Sequence, residues 1–189
     1  VYFIKVNVHS ANKANKTVSV PVAGYNILMP GNNPQISLYK YFPTSNSQLA
    51  RLAMLIQSKY PDSTMVDIGA NVGDTIAVIR SQSNIPIIAI EGDSFSYSFL
   101  KKNIEQFKDI EILKHFLGEE NKELSVNIEK DGWNNTIIPD KSGKKKLNIC
   151  TFDNKIEKEK LENRNYKLLK VDTEGFDTII LRGKKKTIE

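Results

Sequence analysis

The sequence predicts an α/β fold on a doubly wound parallel sheet, and three observations support this. The stretch IPIIAIEGD (85–93) is almost continuously aliphatic, as expected for a strand covered on both faces. From residue 45 onward, strand-like and helix-like segments alternate. The chain has 189 residues, which is long enough for one domain and too short for two ordinary ones, and 40% of its residues are hydrophobic, as a buried core requires. We therefore expect an N-terminal β extension over 1–44 and one domain over 45–189.

The first elements follow from turn residues and helical spacing. KTVSVPVAG and YNILMP are interrupted by Gly and Pro, which is typical of short strands. From Ser47 the apolar residues follow a helical period, and Pro61 ends the helix. TMVDIG is then a short buried strand, with a glycine turn and a second helix after it.

The remaining elements continue the alternation. Asp93 or Ser94 caps a helix, and IEILKHFLG returns as a third strand. ELSVNI (123–128) and LNICTF (147–152) alternate with period two, which predicts an antiparallel insertion. NKIEKEKLENR predicts a charged, exposed helix. YKLLKVDTEG predicts another core strand, which the helix FDTIILRG follows.

Composition narrows the class of protein. Cys150 is the single cysteine, so neither an internal disulfide nor a cysteine-based zinc site can form. The net charge is +5, but the lysines fall in loops and tails such as SGKKK, so we expect no nucleic-acid partner. No apolar run is long enough for a membrane span, and VYFIKVNVHS lacks the features of a secretory signal. A cytoplasmic location is expected.

The glycine turn in VDIGANVGDT (66–75) indicates a ligand site. In open parallel sheets, ligands bind beyond the carboxyl ends of the strands. Gly69 and Gly73 allow a sharp bend and a close approach of the ligand to the backbone. Glu91 ends the next strand, where a carboxylate can accept both hydrogen bonds of a ribose diol. The pattern predicts an adenosine-type ligand.

Two ligand classes compete for this turn. An NAD(P) fingerprint needs G-x-G-x-x-G, and Asn71 stands where the middle glycine would be. Asp67 at the strand tip would repel a diphosphate and attract the cationic end of S-adenosylmethionine. The pattern therefore favours the methyl donor. A purely structural role for Asp67, in which it accepts hydrogen bonds from the amides of the turn, remains an alternative.

The stretches VDIGANVGDT, IAIEGD, HFLGEENKELSVNI, TFD and LLKVDTEGFD together resemble successive blocks of FkbM-type S-adenosylmethionine-dependent methyltransferases. The resemblance covers roughly residues 45–183. It implies a Rossmann-like class I methyltransferase sheet and S-adenosylmethionine as cofactor. It also implies a small-molecule or glycan hydroxyl as acceptor, on a sugar or a natural product. Because 15 residues follow Glu174 and the family sheet needs about three more strands, we expect a C-terminally truncated chain.

The resemblance also implies which residues bind the cofactor. Those expected around the methionine part are Asp67, Gly69, Ala70, Asn71 and Gly73. Glu91 would hold the ribose. Those expected to border the adenine are Gly92, Asp93, Leu117 and Gly118.

Three charged residues near the end of the last core strand are candidates for catalysis. Lys170 and Asp172 project to one face of that strand, where a charged pair is costly unless it is used or mutually satisfied. Glu174 follows them and could act as a base on a hydroxyl acceptor, although an acidic residue in the first turn of a helix is favourable without any such role. His115 is a weaker candidate for the base. Two carboxylates alone do not define a metal site, so no metal ligands are assigned.

Two other functions stay open. An NAD(P)-binding oxidoreductase would bind NAD instead of the methyl donor. A non-catalytic S-adenosylmethionine-binding fragment would hold a partner chain along an open sheet edge, with no turnover.

Overall fold

The computed structural model describes residues 16–130, 135–140, 142–143, 145–173 and 175–183. In chain order its elements are β1 (Thr17–Val22), β2 (Tyr25–Pro30), α1 (Gln35–Tyr41), α2 (Ser47–Lys59), β3 (Ser63–Ile68), α3 (Asp74–Arg80), β4 (Ile87–Ile90), α4 (Ser94–Asn103), a 3-10 turn (Ile104–Gln106), β5 (Ile110–Leu113), β6 (Phe116–Leu117), β7 (Lys122–Lys130), β8 (Asn135–Pro139), β9 (Lys145–Cys150), α5 (Phe152–Lys158), β10 (Asn165–Val171) and α6 (Asp177–Arg182).

A parallel sheet of four strands forms the centre of the fold. Its spatial order is β10-β3-β4-β5, and every neighbouring pair is parallel. Numbered by their order along the chain, these strands run 3-2-1-4 across the sheet, which is how a doubly wound fold begins. The predicted α/β class with a parallel sheet and helices is confirmed.

Both faces of this sheet are covered, which explains the continuous apolar run of β4. On one face Met65 of β3 joins a buried cluster with residues of α2, α3 and α4. On the other face Val66 and Ile68 pack with Phe152 and Ile156 of α5 and with residues of β6, β9 and α6. Because successive side chains of β3 point to opposite faces of the sheet, this strand contributes to both buried clusters.

The two predicted N-terminal strands pair antiparallel as a short hairpin, which packs against the α/β layer. Val20, Ile27 and Met29 share a buried cluster with residues of α3 and α4. Asn103 at the end of α4 bonds both backbone groups of Leu28 and also the carbonyl of Val72. The short helix α1, which the sequence reading did not foresee, packs Tyr39 into this cluster.

A second sheet has the order β6-β9-β7-β8 and contains the predicted antiparallel insertion. The prediction of one strand over IEILKHFLG was wrong at its end. Ile110–Leu113 pairs with β4, whereas Phe116–Leu117 leaves that sheet and pairs with Ile149 and Cys150 of β9. The chain changes sheets between the two segments.

The helix predicted over NKIEKEKLENR begins earlier than expected. Thr151 caps α5 through the amide of Asn154, so the helix starts at Phe152 and ends at Lys158. Phe152 and Ile156 are buried, so α5 has an apolar face directed at the core. Its charged residues cover only the outer side.

Strand β10 lies at one end of the parallel sheet. Within the part of the chain that the structure describes, β10 pairs with β3 alone, as expected for a strand with a free pairing edge. In that same part, no helix has the length and apolar character required to cross a membrane.

Candidate functional site

A cavity of about 340 Å³ opens at the carboxyl ends of the parallel strands. On one side β3 pairs with β4, the next strand of this sheet along the chain. On its other side β3 pairs with β10, the last strand of the sheet in sequence, so the strand order reverses beside β3. Open α/β sheets bind ligands in the crevice at such a reversal. The cavity lies there, between the turns that follow β3, β4 and β10.

The glycine turn has the backbone geometry that the sequence predicts. Gly69 and Gly73 adopt φ of +78° and +86°, and Asn71 between them adopts φ +48°. A Cβ on Gly69 would overlap the carbonyl oxygen of Asp172. This glycine therefore lets the segment after β10 lie directly against the turn after β3.

Glu91 is fixed at the end of β4 by backbone donors. Its Oε2 accepts the amide of Asn71 at 2.9 Å, and its Oε1 accepts the amide of Asp93 at 2.7 Å. Burial raises the pKa of Glu91, and these two amides oppose the rise. Each carboxylate oxygen retains a lone pair for a ligand on the cavity wall.

Asp67, which is buried, and Lys170, which is partly buried, form an ion pair beneath the turn. Lys170 Nζ lies 2.8 Å from Asp67 Oδ1 and 3.9 Å from Asp172 Oδ2. Burial opposes the charge on Lys170, but the nearby carboxylates outweigh it, so the pKa of Lys170 is raised. Asp67 is completely buried and does not line the cavity, whereas Lys170 does. A ligand would therefore meet the lysine, not the exposed negative charge that the sequence reading expected from Asp67.

Asp74 supplies a carboxylate on the cavity wall that the sequence reading missed. It is the first residue of α3, it is 6% exposed, and its Oδ2 accepts the hydroxyl of Tyr39 at 2.7 Å. Burial raises the pKa of Asp74, while the bond from Tyr39 and the charge of Lys170 lower it. The signal was present in VGDT, where an acidic residue directly follows the second glycine.

The other side of the cavity is largely apolar. Phe116, Leu117, Ile149 and Ile180 contribute to this wall together with Ile90. Of these residues, the resemblance to the family indicated only Leu117. The others were missed because the approach of β9 and α6 to the cavity depends on tertiary packing.

His115 also lines the cavity. Burial and the charges of Lys155 and Lys158 lower its pKa. The imidazole is therefore predominantly neutral at neutral pH.

The cavity brings together most of the predicted site residues. Its wall includes Gly69, Ala70, Asn71, Glu91, Gly92, Asp93, Leu117, Lys170 and Asp172. Three of the predicted residues are not on the wall: Asp67, Gly73 and Gly118. Glu174 lies outside the described residues. Asp93 caps α4 through the amides of Phe95 and Ser96 in addition to lining the cavity.

No protein-family model matches the chain, and no curated protein matches it. The resemblance to FkbM-type enzymes therefore stays a prediction.

Two solved structures are similar to part of the chain. A Pyrococcus horikoshii protein named "putative transferase PH0793" is 21% identical, with a TM-score of 0.36 over 52% of this chain and 36% of that one. A Staphylococcus aureus protein named "putative caffeoyl-CoA O-methyltransferase" is 17% identical, with a TM-score of 0.31 over 43% of this chain and 44% of that one. The matched segments thus span less than half of either protein.

Proposed function

We propose that the protein is an S-adenosylmethionine-dependent methyltransferase that acts on a hydroxyl group. The observation that carries the proposal is Glu91. Its carboxylate is held at the end of β4 by two backbone amides, on the wall of a cavity at the reversal of strand order. A carboxylate in that position is suited to the diol of a ribose.

The other residues of the cavity fit an adenosyl ligand. The apolar wall around Ile90 and Phe116 suits the face of a purine, since binding pockets join apolar walls to a few placed polar groups. Asn71 Oδ1 is buried with no hydrogen-bond partner among the described residues. A buried acceptor is costly to leave unpaired, so a donor on a ligand beside Asn71 would be favourable.

The start of α3 is unsuited to a diphosphate. Dinucleotide folds place the pyrophosphate against a helix N-terminus, where free amides and the helix dipole attract it. Here Asp74 occupies that position and lines the cavity, so its carboxylate would face the phosphates. This local charge favours the methyl donor over NAD(P), as does the absence of the middle glycine.

S-adenosylmethionine would supply an electrophilic methyl group, and the residues of this chain would hold the two reactants together. Positioning of this kind can contribute about 7–11 kcal/mol to lowering a barrier. Lys170 is kept protonated by its carboxylate neighbours, so it can donate hydrogen bonds but cannot serve as a base.

The base for a hydroxyl acceptor would be Asp172 or Glu174. The side chain of Asp172 is 73% exposed at the cavity rim, where an acceptor can reach it. Removal of the hydroxyl proton as the new bond forms can add about 10²- to 10⁴-fold in rate. A hydroxyl on a sugar, a glycan or a natural product suits such a carboxylate, and the proposed class is an O-methyltransferase.

Calorimetric titration of S-adenosylmethionine and of NAD tests the proposal. We expect the methyl donor to bind and NAD not to bind. Glu91→Ala should weaken donor binding by about 10- to 100-fold, the range for hydrogen bonds to a charged group. Glu105→Ala, which alters an exposed acidic residue on the outer surface, is the matched control.

Tighter binding of NAD, or donor binding unchanged in folded Glu91→Ala, would contradict the proposal. Donor binding without methylation of any hydroxyl acceptor would instead favour a non-catalytic S-adenosylmethionine-binding fragment.

A further inference from the structure

The outer edge of β10 offers backbone groups to a further strand. Among the residues that the structure describes, β10 pairs with β3 on one side and with no strand on the other. Every residue of β3 is buried, whereas no residue of β10 is fully buried, although Leu168, Leu169 and Val171 are apolar. An open edge of this kind is a template for pairing with another chain.

The flank of α2 on the same side is also apolar and exposed. Helix α2 lies over β3 and β10, and Ala50 on one flank packs with residues of α3, the helix that connects β3 to β4. Leu52 and Leu55 project from the opposite flank, because successive helical residues are about 100° apart. They are 43% and 61% exposed. The two leucines therefore extend toward the open edge of β10.

We propose that a second copy of this chain binds along β10 and the outer flank of α2, about a two-fold axis perpendicular to the sheet. The two β10 strands would run antiparallel, and the two α2 helices would lie side by side on one face. Such an interface uses the same surface of both copies. It does not depend on the ligand proposed above.

The spacing of the layers allows both contacts at once. Each α2 lies over the boundary between β3 and β10. If the two β10 strands pair at the usual strand spacing, two such spacings place the α2 axes about 10 Å apart. Helices in contact pack at about 8–10 Å.

The exposed row on α2 is self-complementary in this arrangement. Its members are spaced four, three and four residues apart, as in a helix-packing seam: Gln48, Leu52, Leu55 and Lys59. When two such rows run antiparallel, each Leu52 lies opposite the partner's Leu55. Each Lys59 lies opposite a glutamine amide, which can accept a hydrogen bond from it. The row therefore brings no like charges together.

The sequence of β10 fits an antiparallel copy of itself. Its register against β3 shifts just before Leu168, so the regular segment is Leu168–Val171. Paired about its centre, this segment places Leu168 opposite Val171. It places Leu169 opposite Lys170, so like charges, which would be destabilising, do not face each other.

Opposite charges flank the paired segment. Lys167, which precedes it, is exposed, and the side chain of Asp172, which follows it, is 73% exposed. Antiparallel pairing brings Lys167 of each copy toward Asp172 of the other. Charge thus favours a second copy in this orientation over a parallel one, in which Lys167 would approach Lys167.

Sedimentation analysis over a range of protein concentrations tests the proposal. One helical row and one short strand make a small interface, so we expect a concentration-dependent equilibrium between monomer and dimer. Leu55→Glu should raise the dissociation constant by about 30-fold or more, as expected at the centre of an interface. Met54→Glu is the matched control, because Met54 is 41% exposed on the flank shared with Ala50. Circular dichroism should show both variants folded.

Introduced cysteines test the geometry. Cys150, the single cysteine of the chain, is buried, so introduced surface thiols can be oxidised selectively. An equimolar mixture of Leu52→Cys and Leu55→Cys chains should form disulfide-linked dimers faster than either variant alone. A mixture of Leu52→Cys and Met54→Cys chains should not.

A protein that stays monomeric at every concentration would overturn the proposal, and would leave the edge of β10 to another occupant. A dimer that Leu55→Glu does not weaken, or equal cross-linking in the two cysteine mixtures, would also overturn it, because the copies would then meet through a different surface.

Discussion

Charged side chains at the amino ends of the parallel strands have different surroundings from those at the carboxyl ends. At the amino ends of β4 and β5, the guanidinium of Arg80 donates to the carbonyls of Ser83, Ile85, Lys108 and Asp109. At the carboxyl ends, Lys170, Asp74 and Glu91 line a cavity instead, and Asp67 pairs with Lys170 behind the cavity wall.

At the carboxyl ends of the parallel strands, two hydrogen-bond acceptors have no partner in the part of the chain that the structure describes. Asp67 Oδ2 and Asn71 Oδ1 are buried and have no partner among the described residues. Native proteins satisfy nearly all such groups, so unpaired ones call for an explanation. The comparison teaches that Arg80 satisfies the carbonyls around it, whereas Asn71 on the cavity wall keeps an unpaired acceptor that the proposed ligand could use.

The largest expected effect is at the ion pair between Lys170 and the buried Asp67. Lys170→Met leaves Asp67 charged and unpaired, which should lower the free energy of unfolding by about 3–5 kcal/mol. Adding Asp67→Asn should recover most of that loss. Urea unfolding of both variants measures this, and a double variant no more stable than Lys170→Met would show that the ion pair is not the cause.

At the opposite end, Arg80→Met should lower the free energy of unfolding by about 2–3 kcal/mol, because buried carbonyls lose their donors. Affinity for S-adenosylhomocysteine should be unchanged in the folded fraction. Chemical unfolding together with calorimetry checks both. A variant that keeps its stability but binds less ligand would reverse the comparison.

The smallest effect concerns Asp74 and depends on pH. Burial raises the pKa of Asp74, so the folded state holds this proton more tightly than the unfolded state does, and ionisation costs stability as pH rises above the ordinary aspartate value of about 3.9. Asp74→Asn, which cannot ionise, should therefore be more stable than wild type at neutral pH.

This difference in stability should disappear at a pH below the ordinary aspartate pKa, where residue 74 is neutral in the wild type as well as in the variant. Urea unfolding across the pH range gives the measurement, and Asp62→Asn is the control at an exposed site. Lower stability of Asp74→Asn at neutral pH would mean that Asp74 serves the fold instead of the ligand.

The sequence predicted the layered α/β fold because its strands and helices have distinct apolar periods. It also located Glu91 and the glycine turn, since both follow from strand ends that can be read locally. It could not show that Lys170 covers Asp67, because the two residues are distant in sequence and meet only through the pairing of β3 with β10.

Long-range packing also accounts for the other omissions. Tyr39 reaches Asp74 from α1, a helix with no strong apolar period of its own. Phe116 joins the cavity wall because the chain leaves β5 and pairs with β9. Neither contact has a local signature in the sequence.

Hydrogen–deuterium exchange with and without saturating S-adenosylhomocysteine most directly tests the assignment of ligand binding to the carboxyl ends. We expect added protection in residues 69–75 and 91–96, and no change in residues 80–85 or 108–110. Protection confined to the Arg80 end, or no protection anywhere in the chain, would contradict it.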